Sequence, residues 1–142
     1  MRIPSRAANY KVAPMAAPQR ESLNTLFEAA VGAAYEVSNT LGAGFLEKVY
    51  ERALAKELSL RGIPVRPQVP YKISYKGHVI SEYIADLVVD ERLLIEVKCV
   101  NTLLNEHLAQ ALNYLKASNL PLALLINFQH PKVVWLRVVS GL

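Results

Sequence analysis

Leu93-Leu94-Ile95-Glu96-Val97-Lys98-Cys99-Val100 is apolar at every position except Glu96 and Lys98. A β-rich run of this kind reads as a central strand buried on both faces. Such a strand needs a covering layer on each side of its sheet, and so an α/β architecture. The chain has 142 residues, enough for one domain with a sizeable core.

The neighbouring patterns supply the layers. Apolar residues at Leu23, Leu26, Phe27, Ala30, Val31, Ala34 and Leu41 have helical spacing and face one core. This helix is expected to begin near Glu21, or at Asn24 or Thr25 if Thr25 and Glu28 form a capping box. Gly42 and Gly44 end it. A second helix is predicted from Phe45 to Arg61, with Leu46, Val49, Tyr50, Ala53, Leu54 and Leu58 on its apolar side. Gly62 and Pro64 stop it.

The period then changes to two. Val69 to Tyr75 and Val79 to Val89 read as strands joined at Lys76-Gly77. With Leu93 to Val100 they form an antiparallel meander, because their connections are too short for crossovers. A third helix follows from Leu104 to Ala117. It leads to a strand at Leu122–Asn127, predicted parallel to the central one, and to a last strand at Val133–Val139. The order is ααβββαββ, a mixed sheet between helices.

Composition excludes several classes. The chain is 52% hydrophobic and 20% charged, which rules out global disorder. Its single cysteine, Cys99, allows no intramolecular disulfide and no cysteine-based zinc or iron–sulfur site. Cys99 follows Lys98 and is expected on the opposite face, as core. No apolar run reaches the ~18 residues of a membrane span, and the start lacks the apolar centre of a secretory signal. A reducing, cytoplasmic setting without membrane contact is the natural expectation.

The net charge of +4 is unevenly placed. Arg2, Arg6, Lys11 and Arg20 lie in a start that contains no acid, while 12 basic and 12 acidic residues balance over positions 21–142. Residues 1–21 therefore read as a basic, Ala/Pro-rich disordered tail, and 22–142 as the domain. The tail is either simply solvated or touches nucleic acid or an acidic membrane surface. A transit peptide is a third reading.

Glu96 and Lys98 are two apart and share one face of their strand. Charge in a buried strand must be paired or bind a metal. A plain ion pair and a catalytic pair are both open on this point. Asp86 is the only charge in Tyr83–Val89. A hairpin around Asp90-Glu91 would bring it near Ile95–Val97, so Asp86 and Glu96 could meet. Two close carboxylates repel in a low dielectric, and a divalent cation resolves that repulsion. The alternative is a capping or pairing role for Asp86.

Two helices carry further polar residues. His107, Gln110 and Tyr114 form a line that faces either the carboxylates or solvent. Glu47 and Tyr50 share a face of the second helix. Glu47 is either a third carboxylate or a first-turn acid favoured by the helix dipole.

Asp86 followed by Glu96-Val97-Lys98 resembles the D…ExK signature of the PD-(D/E)xK nuclease superfamily. Gln110 and Tyr114 match the QxxxY helix motif of its RecB-like branch. Gly44-Phe45-Leu46-Glu47-Lys48-Val49-Tyr50 matches the GxxExxY signature, and from about Asn24 to Val139 the chain resembles the small bacterial GxxExxY proteins. Ala85 stands before Asp86 where the superfamily often has proline.

The resemblance implies a restriction-endonuclease-like αβββαβ core, a central mixed sheet flanked by helices. It implies Mg²⁺- or Mn²⁺-dependent hydrolysis of phosphodiesters in nucleic acid, DNA before RNA, in repair or defence. Asp86, Glu96, the Val97 carbonyl and Glu47 would hold the metal. Lys98 would position the attacking water. Gln110 and Tyr114 would steady the site or the substrate strand. Gly44, Tyr50 and His107 would support them. A homodimer would supply two sites for two strands. The competing reading keeps the fold as a non-catalytic nucleic-acid or protein docking module.

Overall fold

A computed structural model describes residues 15–139. Three helices and five strands follow the expected order: α1 (Ala17–Leu41), α2 (Glu47–Leu60), β1 (Val65–Tyr75), β2 (His78–Val89), β3 (Leu93–Lys98), α3 (Asn105–Ser118), β4 (Leu122–Asn127) and β5 (Val134–Val139). The five strands form one sheet in sequence order, β1-β2-β3-β4-β5. Its pairings are antiparallel except for β3 with β4, which run parallel on either side of the α3 crossover.

Alternation along the central strands divides the core. Leu87, Val89, Leu93, Ile95, Val97, Leu122, Leu124 and Ile126 pack with α1 and α2. Ala85, Val88, Leu94, Ala123 and Val138 pack with Leu108, Ala111 and Leu115 of α3. Leu94, Glu96 and Lys98 therefore share the α3 side of β3, and Cys99 packs, partly buried, with the α1/α2 core.

The first helix starts earlier than its apolar pattern suggests. It begins at Ala17, where the Gln19 side chain accepts the Ala16 N–H at 3.1 Å. Thr25 lies inside it, its hydroxyl donating back to the Glu21 carbonyl at 3.0 Å. Pro18 sits in the first turn, where its missing N–H has no helical partner to lose. The boundary placed after residue 21 thus falls within α1; the tail assigned to 1–21 otherwise lies largely outside the described residues.

The first strand also extends further back, to Val65, and Pro67 and Pro70 are accommodated because β1 is an edge strand. The β1–β2 turn has Lys76 and Gly77 at positive φ, and the β2–β3 turn has Asp90 and Glu91 there. Positive φ at both central residues is the turn geometry that matches the twist of an antiparallel hairpin.

Candidate active site

The site forms where β2 and β3 part. They pair at Val89↔Leu93, Val88↔Leu94 and Leu87↔Ile95. One step further, side chains replace the backbone ladder. The Val97 N–H donates to Asp86 Oδ2 at 2.8 Å. The Asp86 N–H donates to Glu96 Oε1 at 3.4 Å. The two carboxylates are thus tied to each other's strands at the point of divergence. Across β2, Pro67↔Leu87 and Val69↔Ala85 pair around Gln68, which has φ 54°. This local break accompanies the change of face that puts Ala85 on the α3 side and Leu87 on the other.

Tyr83, on β2, donates its hydroxyl to Glu96 Oε1. Its ring stacks on Tyr114 of α3, with centroids 3.4 Å apart and planes at 8°. Burial and the Glu96 and Asp86 charges push the Tyr83 phenol up, so it stays protonated and remains a donor. Burial likewise raises Tyr114, assisted by the same two carboxylates.

The carboxyls are perturbed in the direction expected of crowded acids. Burial, then the Asp86 charge, pushes Glu96 up to about 8 against the opposing Tyr83 hydroxyl, Asp86 N–H and Lys98. Burial also pushes Asp86 up to about 6. The Val97 N–H opposes this, while the neighbouring Glu51 carboxyl and the Glu47 charge add to it. Lys98 is half-buried beside this group and, among the described residues, forms no ion pair. The plain Glu96–Lys98 ion pair left open by the sequence is therefore not formed.

Helix α2 brings two acids to the cluster. Glu47 opens it and is exposed; its charge acts on both Asp86 and Cys99. Glu51, one turn later, is only 6% exposed. Lys48 Nζ donates to it at 2.8 Å and Gln68 Nε2 at 3.0 Å. Sequence reasoning missed Glu51, Gln68 and Tyr83. The available signal for Glu51 was its place four residues after Glu47, on the same side of the helix.

Tyr50 anchors the loop before α2. Its hydroxyl donates to the Gly42 carbonyl at 2.6 Å and accepts the Phe45 N–H at 3.2 Å. Its ring stacks on Phe128, centroids 4.7 Å apart. Gly44, at φ 110°, adopts a backbone that side-chain-bearing residues rarely take. The first motif thus ties the turn to the body and fixes where Glu47 begins.

The polar line on α3 divides. Tyr114 reaches the site. His107 turns back, and its Nδ1 accepts the Leu104 N–H at 2.8 Å, capping the helix start. Gln110 is exposed and makes no hydrogen bond among the described residues. Asn127, only 1% exposed, secures the end of the central strands. Its side chain both donates to the Val100 carbonyl at 2.8 Å and accepts the Val100 N–H at 3.1 Å.

Among the described residues, no three His, Cys, Asp or Glu side chains are arranged to hold a metal. Among these residues there is therefore no cage of three or more such side chains. Mg²⁺ requires less, one or two carboxylates with waters and substrate oxygens completing the shell. Asp86 and Glu96 are hard oxygen donors, crowded and raised in pKa, and they fit such an ion.

Residues 24–138 match the model of the PD-(D/E)XK nuclease superfamily. The chain belongs to that superfamily, whose members generally use divalent metals. Comparison with curated proteins and with solved structures yields no match.

Proposed function

We propose that the protein is a Mg²⁺- or Mn²⁺-dependent nuclease of the GxxExxY type, in the RecB-like branch, that hydrolyses phosphodiester bonds in DNA rather than RNA. The observation that carries this reading is the meeting of Asp86 and Glu96 where β2 and β3 separate, with the Lys98 charge acting on Glu96, inside a nuclease-superfamily fold. Burial and then repulsion between neighbouring acids raise both carboxyls, and a bound cation would offset both effects.

Asp86, Glu96 and the Val97 carbonyl would hold the metal, with Glu47 acting directly or through water. A bound divalent ion lowers the pKa of a coordinated water and offsets charge at phosphorus. The chain supplies orientation. The Val97 N–H fixes Asp86, and the Tyr83 hydroxyl and Asp86 N–H fix Glu96. Lys98, which forms no ion pair among the described residues, is available to orient the attacking water or to neutralise phosphate charge. Tyr114 supports the site through its ring. Gln110, exposed on α3, is available to the substrate strand, whereas His107 serves the helix start.

A docking module is the second reading, favoured by the balance of 12 basic and 12 acidic residues over positions 21–142. No described helix is long and apolar enough to cross a membrane. We take a cytoplasmic protein, acting in repair or defence as a homodimer or within a larger complex, as the working biological setting. The test is a cleavage screen over single-stranded, duplex and branched DNA and RNA with Mg²⁺ or Mn²⁺. Metal-dependent cutting, lost in a folded Lys98→Ala variant, is expected. Metal-independent binding with no cutting of any substrate would favour docking.

A further inference from the structure

We propose that Tyr83 is a positioning residue that sets which divalent ion the site takes, because it leaves Glu96 one available oxygen. The inference rests on the reading of Asp86 and Glu96 as metal ligands. Tyr83 is not part of the acidic signature and would act on the ion only through Glu96.

The Tyr83 hydroxyl and the Asp86 N–H converge on the same atom, Glu96 Oε1. Glu96 Oε2 takes part in neither bond. Each carboxylate oxygen offers about two lone-pair directions, so two donors occupy Oε1. Oε2 would then be the oxygen left to an incoming cation, and Glu96 would bind it through one oxygen. Mg²⁺ demands near-ideal octahedral geometry and suits single-oxygen carboxylate ligands. Ca²⁺ is larger and readily takes both oxygens of one carboxylate. Holding Oε1 away therefore favours the smaller ion.

The hold depends on the ring as well as the hydroxyl. Tyr83 is buried and stacked on Tyr114 at 3.4 Å, with Tyr71 a further 6.4 Å from it at an interplanar angle of 18°. This packing holds the ring, and with it the hydroxyl, against Glu96. Tyr114 thus acts on the carboxylate through Tyr83. Tyr83→Phe keeps the stack and deletes the donor. Glu96 is then held at Oε1 only by the longer Asp86 bond and can turn to offer both oxygens.

A hydroxyl that only satisfied a buried carboxylate would affect all divalent ions alike, so the ratio of affinities separates the two roles. The experiment is a calorimetric titration of Mg²⁺ and of Ca²⁺, separately, into the full chain as wild type, Tyr83→Phe and Tyr114→Leu. Outer partners of metal ligands typically change affinity by roughly tenfold or more. Tyr83→Phe is expected to weaken Mg²⁺ by about tenfold while Ca²⁺ holds or tightens, moving the ratio toward Ca²⁺. Tyr114→Leu keeps the hydroxyl, removes its clamp and should move the ratio the same way; it carries the test if Tyr83→Phe does not fold. Equal losses for the two ions, or unchanged Mg²⁺ affinity, would overturn the role of Tyr83 and leave the metal site standing. No binding to folded wild type would overturn both.

Discussion

Asp86 Oδ2 accepts the backbone N–H of Val97, the residue between Glu96 and Lys98. One hydrogen bond therefore sets the distance between the two halves of the signature. It also replaces a ladder bond that the diverging strands no longer make. The acid is thus structural, and in the proposed function a metal ligand as well, and substitutions can separate the two roles.

Asp86→Asn retains an oxygen for the Val97 N–H and removes a charge from a crowded cluster. Folding stability at pH 8 should be unchanged or higher, while cleavage falls by at least about a hundredfold through loss of the metal ligand. Asp86→Ala leaves the buried Val97 N–H unpaired and should cost about 1–3 kcal/mol of stability. Thermal melts and cleavage rates on the two variants check this. Equal destabilisation by both would refute the separation.

The raised carboxyls make the metal-free protein sensitive to alkali. Asp86 and Glu96 titrate near 6 and 8 in the fold, above their ordinary values of 3.8 and 4.5. The native state therefore binds more protons than the unfolded chain between those limits, and stability falls as pH rises through them. Allowing for partial solvation and for protons shared in the cluster, the loss from pH 5 to pH 8.5 should be about 1–3 kcal/mol. Saturating Mg²⁺ at pH 8.5 should recover it. Urea unfolding across this range, with and without Mg²⁺, is the measurement; a flat metal-free profile would count against the shifts.

Glu47 and Glu51 are distinguishable by substitution. Glu51 is buried and anchored by Lys48 and Gln68, so Glu51→Ala should destabilise by about 1–2 kcal/mol. It also raises Asp86, so Glu51→Gln should move the acid limb of the pH–rate profile to lower pH. Glu47→Gln should instead weaken metal binding with little change in melting temperature. The reverse pattern would assign the ligand role to Glu51.

Tyr50→Phe tests the anchor of the loop before α2. It deletes the bond to the Gly42 carbonyl and the acceptor for the Phe45 N–H but keeps the Phe128 stack. A loss of about 1 kcal/mol is expected, or about 3–5 °C in melting temperature. A melt unchanged within error would show that the turn holds without it.

The elements were legible because their apolar periods differ sharply. Leu93–Val97 could only be a buried strand, and charges at Glu96 and Lys98 stood out against it. The hairpin around Asp90-Glu91 brought Asp86 to the expected neighbourhood, as Leu87↔Ile95 shows. The start of α1 was hidden because alanine and proline carry no apolar stripe, while Pro18 reads as a breaker outside a first turn. Glu51 was hidden because one acid on an amphipathic helix looks like any other until the partner strand is placed. Tyr83 gave no signal in the residue pattern, since only the tertiary fold shows that its hydroxyl meets Glu96. His107 shared its line with Gln110 and Tyr114, but the capping bond to Leu104 depends on backbone geometry that the residue pattern does not specify.

The central claim is that Asp86 and Glu96 form a metal site for phosphodiester hydrolysis. The most direct measurement is a calorimetric titration of Mn²⁺ into wild type and into Glu96→Ala, each with and without a duplex oligonucleotide carrying an uncleavable linkage. Micromolar-to-millimolar binding to wild type, abolished in Glu96→Ala, is the expected result. A folded wild type that binds no Mn²⁺ even with the oligonucleotide present would contradict it.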